Sequence, residues 1–207
     1  MNLSQHTFDT PEEFESLINR FVDFFNSTPL YKPSKLDKFS GSGIYSLYYD
    51  GDFNPYKPLA NESSSDPTVP IYVGKAVPKG WRQGREGSDD DPKLYNRMRE
   101  HFRNIKKGNH LSLEDFSIRF TIMQVEDDAA DLIPAAENAL IREYKPLWNS
   151  CVDGFGNHDP GDGRYDQAPS EWDTLHPGRS WVEKLTGDEP SLSNIKDKIR
   201  EHLDETL

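Results

Sequence analysis

The chain has 207 residues, a formal net charge of −12 and one cysteine, Cys151. This length holds one good-sized domain or a compact core with extensions. The lone cysteine excludes an intrachain disulfide framework and a cysteine-rich zinc site, and the acidic balance argues against a protein that coats nucleic acid through broad positive surface.

The opening residues MNLSQHTFDT lack the basic start and apolar run of a secretory signal, and no apolar stretch reaches bilayer length, so the expected location is cytoplasmic. In chain order, Thr10-Pro11-Glu12-Glu13 offers an N-cap, a proline at the first helical position and a capping-box glutamate. Phe14, Leu17, Ile18, Phe21, Val22 and Phe25 follow at helical spacing, predicting a helix that packs and does no chemistry. A polar connection over 27–42 leads to a strand, Gly43 to Tyr49, reading GIYSLYY. A second strand, PIYVGK from Pro70 to Lys75, follows a stretch rich in Gly, Pro, Asn and Ser that reads as a surface insertion in a hairpin.

After a glycine-rich charged loop, Asp91-Pro92 opens a helix with Leu94, Met98, Phe102 and Ile105 on one face and Gly108 as its stop. Phe116, Ile118, Phe120 and Ile122 alternate with polar residues as in a strand, and Pro134 starts a further helix that Pro146 ends. The order helix, strand, strand, helix, strand, helix predicts an α+β fold: a small, three-stranded, mostly antiparallel sheet flanked by helices. Beyond Asn149, glycine, proline and aspartate dominate up to Arg179, and an amphipathic helix is predicted from about Leu192 to Leu203.

The charge is uneven. Between Lys75 and Lys107 ten lysines and arginines stand against five acids, making this window +5 and the rest of the chain −17. A basic stripe on a repulsive body confines a polyanion to one face, although a solvated helix face gives the same count. Arg97 and His101 stand one turn apart on one flank of their helix, and Glu137 sits one turn into a helix lined by alanines. In isolation Arg97 and His101 read better as structural, each a satisfied core-edge side chain, and Glu137 also reads as a solvent-facing glutamate favoured by a helix start.

Together these residues form a pattern. GIY…YVG, then Arg97, then Glu137, then Asn149 at the end of KPLWN, resembles the GIY-YIG nuclease superfamily from about Gly43 to Asn149, with YVG in place of YIG. The Arg97/His101 pair, the loop GKAVPKGWRQGR and the phrases GFGNHDPG and WDTLHPGRSW look most like its type II restriction endonuclease branch. The resemblance implies an N-terminal helix and connection over 1–42, a nuclease core over 43–149, and a C-terminal extension over 150–207 for DNA recognition or dimerisation.

It further implies hydrolysis of double-stranded DNA at a specific palindrome by a homodimer, with a cognate DNA methyltransferase as functional partner. Within this branch GC-only six-base sites are usual, and CCGCGG is the expectation. Glu137 is implied as the protein ligand of Mg²⁺, Arg97 as the holder of the scissile phosphate, and Tyr72 and Asn149 as positioning groups. A free phenol near pKa 10 is about three units, or roughly 4 kcal/mol, short of ionising at neutral pH. Tyr45, as general base, therefore needs His101, Arg97, a metal or Lys75 beside it. DNA contacts are expected from Lys75, Lys79, Arg82, Arg85, Arg164 and Arg179, since arginine is the commonest bidentate reader of guanine.

Asn157, His158, Asp159 and Asp162 read as a turn-forming segment and not a metal loop, and Gly154-Phe155-Gly156 is no nucleotide loop because no helix follows. Trp81, Trp148, Trp172 and Trp181 are expected as core or interface anchors, and Cys151 as a small buried hydrophobe. The rival readings are a repair or structure-specific nuclease of the same superfamily, and a non-catalytic DNA-binding or DNA-mimicking protein on the same fold.

Overall fold

Strand β1 (Ser42–Tyr49) is buried along all eight residues, so it needs cover on both faces and both edges. The computed structural model describes residues 3–62, 67–83, 90–123 and 129–207. In it, β1 is the middle strand of a three-stranded antiparallel sheet of order β2-β1-β3, between β2 (Tyr72–Ala76) and β3 (Phe116–Met123). The fold is α+β with helices on both sides, as the alternation of periodicities predicts.

The pleat divides β1 into two sets. Tyr45, Leu47 and Tyr49 join the core that includes Leu94, Met98, Phe102 and Ile105 of helix α3 (Lys93–Lys107). Ile44 joins the second cluster, with Val73 of β2, Phe25 of helix α1 (Glu12–Ser27), and Ile133, Ala136 and Leu140 of helix α4 (Leu132–Tyr144). The α3 side is thus set by apolar residues one turn apart, and the α4 side by small alanines that let the helix lie close.

Three expectations change in detail. Helix α1 begins at Glu12 with Pro11 at the cap and no side-chain capping bond, and only Ile18 and Phe25 of its apolar stripe are fully covered; Phe14 and Leu17 are exposed. The stretch between β1 and β2 is not wholly on the surface: Tyr56 and, in the short helix α2 (Lys57–Glu62), Leu59 are buried. Residues beyond Asn149 also share the α3-side core. Trp172 and Leu175 of α6 (Glu171–Leu175) and Ile195, Ile199 and Leu203 of α7 (Leu192–Thr206) pack there with Trp148 of α5 (Leu147–Ser150).

Burial of these aromatic groups demands polar partners for their handles. Asn109 supplies a carbonyl that accepts from His176 Nδ1 at 3.0 Å, which leaves Nε2 to accept from the Tyr56 hydroxyl at 2.7 Å. Trp148 Nε1 donates to the same hydroxyl at 3.0 Å, completing a buried chain. Trp172 and Trp148 are core residues as expected. Cys151 is also buried, and burial pushes its thiol up to about 11. Among the described residues no helix is long and apolar enough to cross a membrane.

Candidate active site

The paired tyrosine motifs have a geometric reason. Tyr45 stands opposite Gly74 in the β1–β2 register, so both occupy one face, and a Cβ on Gly74 would lie 2.6 Å from the Tyr45 hydroxyl and 2.8 Å from a ring carbon of Tyr72. Only glycine leaves room for the two phenols. Gly43, at the start of the first motif, approaches β3 so closely that a Cβ would fall 2.0 Å from the Thr121 carbonyl oxygen.

Helix α3 brings Arg97 and His101 to the same face. The His101 ring lies 5.0 Å from that of Tyr72 and 5.8 Å from that of Tyr45, centre to centre, and stacks on Phe155 at 4.6 Å. Neither ring nitrogen has a hydrogen-bond partner among the described residues. Burial first, then the charge of Arg97, holds His101 well below the usual histidine range, so the ring is neutral at pH 7 with a free lone pair.

Tyr45 is fully buried, and its hydroxyl likewise has no hydrogen-bond partner of normal geometry among the described residues. Burial raises its pKa well above that of a free phenol; nearby Tyr72 and Glu137 add to the rise, and Arg97 opposes it. Burial also raises Tyr72, again against Arg97. In the free protein both groups are therefore phenols.

Glu137 and Lys75 lie across the edge strand from the tyrosines, Lys75 opposite Ile44 in the register. Lys75 Nζ donates to Glu137 Oε2, and the carboxylate side chain is 12% exposed. Its charge makes both phenols harder to ionise. Asn149 anchors the strand between them: its amide oxygen accepts from Val73 N at 2.7 Å and its amide nitrogen donates to Val73 O at 2.9 Å. The two ends of the amide thus fix β2 where Tyr72 and Gly74 flank Val73.

Tyr45, Tyr72, Arg97, His101 and Glu137 thus converge, with Asn149 behind β2. The cationic residues expected on DNA divide. Lys75 is inside the site, on Glu137. Lys79 and Arg164 are exposed, Arg164 closing a turn by donating its backbone N–H to the Gly161 carbonyl at 3.2 Å. Arg85 and the side chain of Arg82 lie outside the described residues.

Arg179 is a correction. It is 2% exposed, paired with Asp173 Oδ1 at 2.5 Å, stacked over Trp172 and Trp181, and donates to the carbonyls of Gly154, Phe155 and Asn157. A buried guanidinium engaged through four of its five N–H groups is a structural clamp and not a reader of bases. The sequence shows an arginine among glycines and prolines, a surface-like setting; the buried aspartate that pairs with it is six residues away and gives no separate signal.

The clamped segment supplies what sequence reasoning missed. Asp159 does make a turn, accepting from Gly161 N at 2.9 Å and from the Tyr165 hydroxyl at 3.0 Å. His158, however, accepts from Arg97 Nη1 at 3.2 Å. A Cβ on Gly156 would lie 3.6 to 3.9 Å from atoms of Arg97, His101 and Tyr72, so Gly156 and Phe155 form a wall of the site. The available signal was an aromatic bracketed by glycines just before a histidine.

A family model described as the Eco29kI GIY-YIG domain matches residues 37–203. The chain belongs to that family. No curated protein matches the chain. The GIY-YIG match makes this a nuclease domain of restriction-endonuclease type, which acts on DNA, and it runs past Asn149 over the segment carrying Phe155, His158 and Arg179.

The donor set limits the metals this GIY-YIG site suits. Among the described residues no three or more His, Cys, Asp or Glu are grouped to enclose an ion. A single carboxylate fits a hard cation that keeps most of its waters, as Mg²⁺ does, and not one that needs a nitrogen or sulfur cage.

Proposed function

We propose that the chain is a type II restriction endonuclease that hydrolyses phosphodiester bonds of double-stranded DNA at a specific palindrome, with Mg²⁺ or a similar divalent cation held by Glu137. The observation that carries this reading is the convergence of Tyr45, Tyr72, Arg97 and His101 with the Lys75–Glu137 pair around Gly74.

Hydrolysis requires a deprotonated water, neutralised phosphoryl oxygens and a protonated leaving oxygen. Arg97 receives the phosphate with a planar, permanently charged fork, and Lys75 adds a second cation at the site. Glu137 would hold the cation, which would supply positive charge that lowers the proton affinity of water and phenolate oxygens. Tyr45 takes the proton of the attacking water while its own hydroxyl proton passes to neutral His101, and the departing oxygen takes its proton from solvent water. Hydrogen bonds of this kind are commonly long in a free enzyme and tighten in the substrate complex. Tyr72 orients the reacting groups from the neighbouring strand, and Asn149 acts through β2.

Cutting both strands of a palindrome with one such site per chain is most simply done by a two-fold homodimer. Lys79, the loop with Arg82 and Arg85, and Arg164 remain the candidate DNA contacts, with CCGCGG as the candidate site and a methyltransferase of matching specificity protecting host DNA. The test is incubation of the purified chain with unmethylated DNA of mixed sequence, with and without Mg²⁺, followed by sequencing of fragment ends. Cation-dependent cutting at one palindrome is expected. Cutting at dispersed, unrelated sequences, or at branched junctions alone, would overturn the restriction reading; absence of any cutting with Mg²⁺ or Mn²⁺ would overturn the nuclease activity.

A further inference from the structure

Arg97 Nη1 carries two hydrogens, and both are engaged. Glu100 Oε2 accepts one at 2.9 Å and His158 Nε2 the other at 3.2 Å. Since a guanidinium has no acceptor, His158 must present the lone pair of Nε2, which puts its proton on Nδ1. With Nη1 held from two sides, Nη2 lies beside Gly156, where an added Cβ would stand 3.6 Å from it.

Glu100 alone would orient the guanidinium poorly: it is an i,i+3 neighbour, 38% exposed, in a pair of the kind that contributes little and moves freely. His158 comes from a remote part of the chain whose backbone is tethered. Arg179 donates to the carbonyls of Gly154 at 2.9 Å, Phe155 at 3.4 Å and Asn157 at 3.0 Å, and its own charge is matched by buried Asp173. The residue before His158 is therefore fixed to the core, and Gly156 is small enough for the loop to lie against Arg97. An exposed bond of 3.2 Å adds little to stability. Its value is directional.

We propose that His158 is a positioning residue of this site, accepting from Arg97 so that, with Glu100, it fixes the orientation in which the guanidinium meets the scissile phosphate. The inference rests on the nuclease reading above and deepens it.

Two substitutions in the full-length chain separate the roles: His158→Gln keeps an acceptor and His158→Leu removes it, both at an exposed position. Single-turnover cleavage at saturating DNA with Mg²⁺ is expected to fall about 10- to 100-fold for His158→Leu, the range that follows from small misplacement of a reacting group. DNA affinity measured without a divalent cation stays within about threefold, and His158→Gln recovers most of the rate. Added to Arg97→Lys, His158→Leu costs less than about threefold more, because the two act as a unit. Wild-type rate in His158→Leu, equal loss in His158→Gln, or an undiminished cost on top of Arg97→Lys would each overturn the inference. The side-chain nitrogen NMR signals of Arg97 should shift in His158→Leu and much less in His158→Gln. That readout needs no cleavage: unchanged Arg97 signals defeat the role of His158, whereas a wild-type chain that cuts no DNA defeats the proposed function alone.

Discussion

Tyr45 buries a hydroxyl whose side-chain neighbour Tyr72 does not meet it at normal hydrogen-bond geometry, an arrangement that costs up to about 1–3 kcal/mol in a folded protein. Tyr45→Phe removes that oxygen and keeps the ring. Thermal unfolding should therefore show a melting temperature equal to or above wild type, while cleavage falls at least about 100-fold, the usual contribution of a positioned acid or base. Near wild-type cleavage by this variant would remove Tyr45 from the mechanism. Gly74→Ala tests the same space from the opposite strand. Its Cβ would stand 2.6 Å from the Tyr45 hydroxyl and 2.7 Å from the adjoining ring carbon, so both phenols must move. Overpacking of this kind costs about 1–3 kcal/mol, and denaturant titration together with cleavage should report both losses. Unchanged stability and rate would mean that the phenols have room that the geometry denies.

At the scale of elements, α3 was legible because its period of 3.6 matches the face it buries, and β1, buried along its whole length, because it is a short continuous run of apolar and aromatic residues. Arg97 and His101 could be placed on one flank from spacing alone, and Tyr45 and Tyr72 on neighbouring strands. The burial of Tyr56 within the β1–β2 connection was not legible, because its partners, Trp148 and His176, lie 92 and 120 residues away. The 154–158 loop was hidden for a similar reason: its glycines and aspartates describe a turn, while its placement depends on Arg179 and Asp173 meeting inside the core. Arg179→Met should leave Asp173 as an uncompensated buried charge and cost about 3–5 kcal/mol, read as a lowered urea midpoint. Adding Asp173→Leu should recover part of that loss. If Arg179→Met alone were neutral, the pair would not be the clamp that holds this wall of the site.

For the molecule as a whole, the buried histidines make stability depend on pH. His176 is held near about 4, chiefly by burial, and His101 is also held well below the ordinary value. Both bind a proton more readily unfolded than folded, so their stabilising effect is complete above about pH 6.5 and is lost as pH falls toward the folded values. For His176 the window from 6.5 to about 4 corresponds to about 3.5 kcal/mol, at about 1.4 kcal/mol per pH unit. Urea unfolding should therefore give a clearly lower free energy at pH 5 than at pH 7, and His176→Gln should flatten the slope. Equal values at the two pH values in the wild-type chain would refute this linkage.

The buried Cys151 thiol, at about 11, is almost wholly un-ionised at neutral pH and shielded from reagents. A cysteine introduced on the exterior away from the candidate DNA contacts, for instance in place of exposed Ser193, would then be the thiol that a maleimide dye modifies. Fluorescent derivatives for following the chain on a single DNA molecule can be prepared without first replacing its native cysteine.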